Sequence, residues 1–310
     1  MTRGTSFLFP GQLAEYPGMG RDLEEADPTA RELFDRTSER CGLDLRRLVF
    51  EGPEAALHEN LPAQAGVFLV STLAARALER SGVAPAATAG YSLGNYAALV
   101  AAGAVSYEEA LEVLVAVWRE TERLGLRGAM GAVVGGRRDA VEDVCAGLRE
   151  RGMPVWIGNV NAATQFVLTG SVEGVRGALE SLAPRALSVL SLGMNWPIHS
   201  ELMQPVADAI APVINGCRSI RAPRVACYGP EGSMRTAEEI RDLLASGFCR
   251  PTLWNRTFEA MVADGHRTFL EVGPGEMLSK MTRWIDRTVQ CAPAGTLPAI
   301  RQASDKVPPS

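Results

Sequence analysis

The sequence is poor in the features that mark several common classes of protein. Lysine occurs twice in 310 residues and histidine three times, and acidic residues outnumber basic ones for a net charge of −5. Nucleic-acid-binding proteins are usually basic, so this balance argues against a nucleic-acid partner. No uninterrupted apolar run approaches the roughly 18 residues of a membrane span. The opening stretch MTRGTSFLFPGQ holds too short an apolar run for a signal peptide, so we expect no membrane association.

Closely spaced cysteine pairs are also missing. Six cysteines are scattered along the chain without any CxxC motif, which excludes the usual zinc-binding and disulfide-framework patterns. We therefore predict reduced thiols, a cytoplasmic location and no metal site. The hydrophobic fraction of 46% is enough for a large core, built as one domain or as a domain with an insert.

Two patterns of strands and helices divide the chain. Near its ends, short buried strands at 5–9, 86–90 and 268–272 alternate with long helices, which is typical of an α/β protein. Between them, residues 131–192 follow the order strand, helix, strand, strand, helix, strand of a ferredoxin-like unit. We predict a large α/β domain (1–128 and 197–291) and an inserted ferredoxin-like subdomain (129–196). Residues 292–310 are small, polar and proline-rich, and we expect them to be disordered.

The segment GYSLG at 90–94 places a serine between two glycines, after a predicted strand and before a predicted buried helix. This is the pattern of a nucleophile elbow, in which glycines allow a sharp turn that exposes the serine hydroxyl. The N–H groups at the start of the following helix would face a negative charge developing beside Ser92. An ordinary turn serine is the alternative, but the flanking strand and helix favour a nucleophile.

A serine nucleophile needs a general base, and three histidines are available. His58 lies at the polar end of a helix, where we expect a surface residue. His266 lies at a turn that leads into a strand, where we expect a structural residue. His199 follows a proline and precedes a helical segment, where a side chain can face a pocket. We therefore predict that His199 is the base for Ser92.

Five ordered blocks carry a family resemblance: FLFPGQ (7–12), GYSLGNYAALVAAGAVSYEEAL (90–111), GNVNAATQFVLTGS (158–171), PIHSELMQP (197–205) and FLEVGPGEMLSKM (269–281). Over about residues 5–290 the chain resembles the malonyl-CoA:acyl carrier protein transacylases and the acyltransferase domains of polyketide synthases. The resemblance implies an α/β-hydrolase-like fold with a ferredoxin-like insert and acyl transfer through an acyl-serine. It also implies acyl carrier protein as partner, phosphopantetheine or CoA thioesters as substrates, and no bound cofactor.

The same resemblance implies roles for individual residues. Ser92 would be the nucleophile and His199 the base, oriented by the backbone carbonyl of Leu253 rather than by an acidic side chain. The backbone N–H groups of Gln12 and Leu93 would form the oxyanion hole. Three polar residues of the insert would line the cleft, or else would only complete the hydrogen bonding of their loop: Asn159, Asn161 and Gln165.

One departure from the family concerns the acyl group. The position 25 residues after Ser92, where malonyl-transferring members have an arginine, holds Val117. Arg119 is two residues further on, about 200° around a helix, and should face the opposite side. A buried carboxylate without a partner is costly, so Val117 predicts an acyl group without a terminal negative charge. The alternative is a shifted helix that lets Arg119 pair with the carboxylate.

Further departures lie around the same site. Tyr91 replaces the usual histidine before the nucleophile, and Asn95 stands where glutamate or another polar residue is common. Leu13 replaces the second glycine of the usual PGQG sequence, which would reshape the loop near the oxyanion hole. Trp196 and Ile198 predict a bulky, apolar wall of the substrate pocket.

These departures favour a stand-alone acyltransferase for a non-malonyl group, such as an aminoacyl or dipeptidyl starter unit. It would move that group onto or between acyl carrier proteins in polyketide or macrolactam antibiotic biosynthesis. A proofreading hydrolase of carrier-protein thioesters, an ordinary malonyl transacylase and a non-catalytic carrier-binding protein are the alternatives. Five arginines are candidates for docking an acidic carrier protein, unless they are solvated surface charges: Arg218, Arg221, Arg224, Arg283 and Arg287.

Overall fold

The computed structural model describes residues 4–305. Its strands are β1 (Ser6–Phe9), β2 (Ala87–Gly90), β3 (Ala129–Val134), β4 (Val155–Ala162), β5 (Gln165–Gly170), β6 (Ser188–Leu192), β7 (Ala226–Gly229), β8 (Gly232–Met234), β9 (Thr268–Glu271) and β10 (Gln290–Pro293). Its helices are α1 (Arg21–Ala26), α2 (Ala30–Cys41), α3 (Leu45–Glu51), α4 (Glu54–Leu57), α5 (Asn60–Arg80), α6 (Gly94–Ala101), α7 (Tyr107–Arg123), α8 (Arg138–Glu150), α9 (Val172–Leu182), α10 (Gln204–Gly216), α11 (Ala237–Ser246), α12 (Trp254–Ala263), α13 (Met277–Ile285) and α14 (Leu297–Ser304).

Six strands form the large sheet, in the order β10-β9-β1-β2-β7-β8. All neighbouring strands are parallel except β7 and β8. Strands such as β1 are buried along their whole length, as expected for parallel strands covered by helices on both faces. Because β1 and β2 are parallel neighbours, their carboxyl ends meet at one edge of the sheet, where β1 leads to Gln12 and β2 to Ser92. That edge carries the candidate site.

The longest helix, α5, runs through the core of the large unit. By length and composition alone it could cross a membrane, but 94% of its most apolar window is buried inside the protein. Its side chains pack with those of the surrounding helices in the main hydrophobic core. The apolar surface of α5 is therefore accounted for by contacts within this chain.

Four strands form the small sheet, in the order β4-β5-β3-β6, with every neighbouring pair antiparallel. Helices α8 and α9 bury Val141, Leu148, Val175 and Ala178 in one core with its strands. The predicted ferredoxin-like unit is therefore confirmed, inserted in an α/β-hydrolase-like domain. The boundaries at 128/129 and 196/197 stay predictions.

The expectation of a disordered segment from residue 292 is wrong as far as residue 305. Strand β10 pairs in parallel with β9, so Pro293 lies beside Glu271. Helix α14 begins at a side-chain cap from Thr296 and buries Ile300 and Ala303. Composition predicted disorder because the few apolar residues of this segment are widely spaced, yet two of them suffice to dock a short helix. Residues 306–310, the rest of the expected tail, lie outside the described residues.

The small sheet is joined to the large unit through its edge strand β4. The N–H of Thr252 donates to the carbonyl of Gly158 at 2.8 Å, and the N–H of Val160 donates to the carbonyl of Thr252 at 2.9 Å. Thr252 thus forms a parallel bridge with Asn159. The segment that precedes α12 is therefore bonded to the small sheet by its main chain.

Candidate active site

Ser92 lies on a sharp turn between β2 and α6. Its φ angle is 55°, in the left-handed region that side chains other than glycine rarely adopt. The turn requires glycine nearby, because a Cβ atom on Gly94 would lie 2.1 Å from the carbonyl oxygen of Phe9. The serine is therefore held at the start of α6 in the geometry of a nucleophile elbow.

His199 faces Ser92 across the cleft. Its Nε2 atom lies 2.6 Å from the Oγ atom of Ser92. Its main-chain N–H donates to the carbonyl of Phe248 at 2.7 Å, and its φ angle is 66°. The structure therefore brings together the two residues that the sequence analysis paired as nucleophile and base.

The environment of His199 favours a neutral imidazole. The side chain is buried, and burial lowers the pKa of His199 to about 4. Its Nδ1 atom lies 3.0 Å from the carbonyl oxygen of Arg250, which can only accept a hydrogen bond. The proton of the neutral ring is therefore assigned to Nδ1, and Nε2 is left with a lone pair facing the Ser92 hydroxyl. The Oγ1 atom of Thr252 lies 3.3 Å from both ring nitrogens.

The prediction that the Leu253 carbonyl orients the histidine is wrong. That carbonyl accepts hydrogen bonds from the N–H of Thr257 at 3.1 Å and from its hydroxyl at 3.3 Å. Leu253 caps the start of α12, so its carbonyl points along the helix axis. The carbonyl of Arg250, three residues earlier, is the one that faces the ring of His199.

The expected oxyanion loop lies beside the serine. Within residues 4–305, the N–H groups of Gln12 and Leu93 donate to no other protein group. The side chain of Gln12 is fixed, because it donates to Asn60 at 3.2 Å and accepts from Gln64 at 3.1 Å. Asn60 in turn donates to the side chain of Asn195 at 2.7 Å. One free backbone donor thus lies in a loop anchored to α5 and the other lies at the start of α6, an arrangement that fits an oxyanion hole.

Backbone strain is concentrated at this site. Three non-glycine residues of the described chain have a positive φ angle: Leu13 at 76°, Ser92 at 55° and His199 at 66°. Each such residue costs about 1–3 kcal/mol and persists only where its surroundings hold it in position. All three belong to the loops that carry the expected nucleophile, base and oxyanion hole.

An apolar cleft opens at Ser92 and His199. Val117, Ile198 and Asn95 line it as the sequence analysis anticipated for the substrate pocket and its surroundings. Sequence reasoning missed the other members, which come from five separate segments and carry no motif. No pattern in the sequence predicts that these residues face one cavity: Gln64, Tyr96, Leu114, Met194, Leu243, Leu244, Gly247 and Phe248.

The cleft wall near Val117 carries no positive charge. Among the described residues that line the cleft there is neither arginine nor lysine. Val117 is buried on α7, whereas Arg119 is exposed on another face of the same helix. The predicted orientation of Arg119 is therefore observed, and the shifted helix that would bring it into the cleft is not.

Tyr91, Asn159 and Asn161 lie behind the cleft rather than in its lining. The hydroxyl of Tyr91 accepts from Nδ2 of Asn159 and donates to Oδ1 of Asn161, both at 2.9 Å. The ring of Tyr91 packs edge-on against Trp254. These side chains join the residue before the nucleophile to β4, so their expected place in the pocket lining is corrected to a buried support.

Two other expected pocket residues lie elsewhere. Gln165 begins β5 opposite Ala162, at the hairpin end of the small sheet, and does not line the cleft. Trp196 is fully buried, and its indole N–H donates to Glu122 at 3.1 Å. Its neighbour Ile198 forms the apolar wall that was expected of both residues. Which of two nearby apolar residues faces a cleft depends on loop conformation, which the sequence alone did not reveal.

The two remaining histidines take different positions. His266 is buried, and its Nδ1 atom lies 2.8 Å from the Ser6 hydroxyl, in agreement with a structural role. His58 has a side chain that is 41% exposed, and its Nδ1 atom lies 2.8 Å from a carboxylate oxygen of Glu15. Neither histidine lines the cleft.

The five arginines proposed for docking lie away from the cleft lining. The N–H of Arg221 and that of Arg224 donate to the carbonyls of Ala104 and Ala102, just beyond the last turn of α6. Ser92 precedes the first turn of that helix, so these arginines lie at its far end. All five arginines are exposed, and their part in docking the carrier protein stays a prediction.

Residues 6–305 match the family described as "Acyl transferase domain". The chain is 32% identical over 291 residues to the malonyl CoA-acyl carrier protein transacylase of Bacillus subtilis (strain 168), covering 92% of this chain and 91% of the relative. The transacylase of Escherichia coli (strain K12) is 32% identical over 291 residues, with coverages of 92% and 93%.

Two solved structures are similar over nearly the whole chain. The malonyl CoA-acyl carrier protein transacylase of Coxiella burnetii has a TM-score of 0.91 at 30% identity and covers 99% of both chains. A malonyl-transacylase in complex with a type II PKS acyl-carrier protein has a TM-score of 0.91 at 30% identity, with coverages of 97% and 99%. Within residues 4–305, no group of three or more His, Cys, Asp or Glu side chains could hold a metal ion.

Proposed function

Because the chain belongs to the acyl transferase domain family and is an acyltransferase that acts on acyl carrier protein, we propose that it works through an acyl-Ser92 intermediate with His199 as base. The observation that carries this proposal is the 2.6 Å distance between the Ser92 hydroxyl oxygen and Nε2 of His199. The enzyme acts on phosphopantetheine thioesters and needs no bound cofactor for this chemistry.

In the first half-reaction, Oγ of Ser92 attacks the carbonyl carbon of the donor thioester while Nε2 of His199 takes the hydroxyl proton. The carbon–sulfur bond then breaks, and the departing thiolate takes that proton back from the imidazolium. In the second half-reaction, the carrier-protein thiol gives its proton to Nε2 and attacks the Ser92 ester. The proton returns to Oγ as the ester bond breaks, so no proton or electron is gained or lost overall.

Three features would stabilise the charges that develop. The N–H groups of Gln12 and Leu93 are free to bind the oxyanion, and the first turn of α6 adds its positive dipole end. The carbonyl of Arg250 would stabilise the imidazolium by accepting its Nδ1 proton in a hydrogen bond. No acidic side chain has this role in the proposed mechanism.

Malonyl is the first candidate for the acyl group. The curated relatives of Bacillus subtilis and Escherichia coli, at 32% identity, carry the name malonyl CoA-acyl carrier protein transacylase. The similar solved structures are a malonyl CoA-acyl carrier protein transacylase of Coxiella burnetii and a malonyl-transacylase in complex with a type II PKS acyl-carrier protein. These relatives favour an ordinary malonyl transacylase over a transferase for a non-malonyl group or a proofreading hydrolase.

A second candidate is an acyl group without a terminal carboxylate, such as an aminoacyl or dipeptidyl starter unit of polyketide or macrolactam biosynthesis. The specific observation in its favour is the cleft lining, which among the described residues carries no arginine or lysine and has Val117 in its wall. A malonyl carboxylate in this cleft would be without a cationic partner, which disfavours its burial.

The two candidates are separated by intact-mass measurement after exposure to malonyl-CoA, propionyl-CoA and aminoacyl-loaded carrier protein. A malonyl adduct that is absent from Ser92→Ala supports the first candidate and refutes the second. An adduct with the other thioesters alone gives the opposite result. Adding a second carrier protein then tests transfer, and release of free acid instead of transfer would indicate a hydrolase. No adduct with any thioester would contradict the acyl-Ser92 intermediate itself.

We also propose a cytoplasmic location. All six cysteines are free thiols, which is typical of proteins in a reducing compartment. Acyl carrier protein is the partner of this enzyme, so the enzyme and its carrier protein would meet in that compartment. Cell fractionation with a tagged chain tests this location, and recovery of the chain in the membrane or secreted fraction would refute it.

A further inference from the structure

Leu13 is held in an unusual backbone conformation next to the oxyanion loop. Its φ angle is 76° and its side chain is 44% exposed, so packing of the side chain does not hold this conformation in place. A glycine would adopt the same conformation without strain. The backbone at Leu13 is instead held by a hydrogen bond, which the Leu13 N–H donates to Oε2 of Glu15 at 2.8 Å.

Glu15 is unusually placed for a carboxylate in a loop. Its side chain is completely buried, and its second oxygen, Oε1, lies 2.8 Å from Nδ1 of His58. The hydrogen bond that the His58 ring donates to Glu15 is the largest influence that raises the pKa of His58, and Glu54, 3.4 Å from Nε2, adds to it. A buried carboxylate needs such partners. Glu15 therefore links the loop to the segment between α4 and α5.

We propose that Glu15 is a positioning residue for the oxyanion hole, acting through the N–H of Leu13. The proposal rests on the proposed function, in which the N–H of Gln12 binds the oxyanion. The Leu13 N–H and the Gln12 carbonyl share one peptide plane, so a hydrogen bond that holds this N–H holds the plane that follows Gln12. The Gln12 N–H belongs to the preceding plane, and the φ and ψ angles of Gln12 relate the two planes, so holding one plane limits the orientation of the other. The Gln12 side chain is held separately by α5. Together, these two anchors restrict the conformation of Gln12 and so the direction of its N–H.

The proposal separates Glu15 from an ordinary buried acidic residue. If Glu15 were purely structural, its removal would lower the stability of the fold. It would affect the acylation step no more than the loss of any other buried contact. A positioning Glu15 acts on the transition state, so its removal lowers the maximum acylation rate and leaves the half-saturating thioester concentration unchanged. A positioning role also predicts that the effect of removing Glu15 depends on Leu13. A glycine at position 13 adopts the positive φ angle without strain, so it does not need the hydrogen bond to Glu15.

The test compares Glu15→Ala with Glu15→Ala/Leu13→Gly in single-turnover formation of acyl-Ser92, with the thioester that labels the wild-type enzyme. Complete loss of an oxyanion donor costs about 100- to 1,000-fold, so we expect a misdirected donor to slow acylation at least about tenfold. We expect Leu13→Gly to restore most of that rate. Glu54→Ala is the matched control, since Glu54 contacts His58 but not Leu13, and it should acylate at the wild-type rate. Glu15→Met, a side chain of similar length without an oxygen acceptor, replaces Glu15→Ala if that variant does not fold.

A second measurement does not depend on activity. Hydrogen exchange at the Leu13 amide, whose N–H donates to Glu15, should accelerate in Glu15→Ala and stay at the wild-type rate in Glu54→Ala. Unchanged exchange in Glu15→Ala overturns the proposal, as does a wild-type acylation rate or a lost rate that Leu13→Gly does not restore. If the wild-type enzyme forms no acyl-Ser92, the proposed function fails, whereas the exchange measurement still decides whether Glu15 holds the loop.

Discussion

Lowering the pH from about 7.5 to about 5 should leave the acylation rate of Ser92 nearly unchanged. Burial lowers the pKa of His199 to about 4, and the base must be neutral to take the hydroxyl proton. At about pH 5, about nine tenths of such rings are neutral, against about 3% for a histidine with the ordinary pKa of about 6.5. The two cases therefore differ roughly 30-fold in rate at that pH.

The assay is single-turnover formation of acyl-Ser92, stopped by acid and followed by intact mass. Circular dichroism at each pH confirms that the protein stays folded, and Ser92→Ala gives the background. A rate that falls to half near pH 6.5, rather than near pH 4, would refute the assignment of His199 as a buried, neutral base.

The same pKa also links folding to pH. In the unfolded chain His199 takes up a proton near its ordinary pKa of about 6.5, whereas in the folded protein it does so near 4. Its contribution to stability is therefore complete above about pH 6.5 and is lost progressively as the pH falls towards 4. The shift corresponds to roughly 3 kcal/mol of unfolding free energy at about 1.4 kcal/mol per pH unit. Urea unfolding of His199→Gln, which lacks the titration, should show a loss between these pH values that is smaller by that amount.

Three other substitutions test the site. Val117→Arg should shift the preference between malonyl and propionyl adducts towards malonyl by about tenfold, because the guanidinium can pair with the malonyl carboxylate. Val117→Leu is the control and should leave this preference unchanged. Equal shifts in the two variants would argue against that pairing. Tyr91→Phe removes both hydrogen bonds of the buried hydroxyl and should cost about 1–3 kcal/mol in urea unfolding; no loss would contradict its supporting role. Gly94→Ala should cost more than about 4 kcal/mol, because its Cβ would lie 2.1 Å from the Phe9 oxygen. Gly147→Ala, which meets no atom within 4 Å, is its control and should be neutral or stabilising.

The parts of the fold that the sequence predicted are those in which local pattern and tertiary structure agree. The turn at Ser92 requires its glycines, so the motif GYSLG, together with the predicted strand before it and the predicted helix after it, was enough to predict the nucleophile elbow. The ferredoxin-like unit has its strands and helices in an unbroken order between residues 129 and 192. The pairing of Ser92 with His199 spans 107 positions, but with three histidines in the chain elimination was sufficient.

The errors concern choices between neighbouring groups that only the packed chain decides. Arg250 and Leu253 have chemically identical backbone carbonyls. The Leu253 carbonyl accepts the first hydrogen bond of α12, which leaves the Arg250 carbonyl to face His199. Trp196 and Ile198 are both apolar, but Trp196 is buried in the protein whereas Ile198 lines the cleft. Glu15 escaped notice because a lone glutamate in a loop is usually solvated. The sequence places it 43 positions from His58, with no pattern to connect them.

The bridge between β4 and Thr252 has a mechanical consequence for the cleft. A rotation of the small sheet that kept these two main-chain hydrogen bonds would turn about that edge as a hinge. Such a rotation would break the side-chain hydrogen bonds from Asn60 to Asn195 and from Trp196 to Glu122, and the cleft would open on that side. The Arg250 carbonyl lies next to the hinge, so the His199 ring would keep its acceptor throughout the swing. An acyl chain could thus enter without disturbing the geometry of proton transfer.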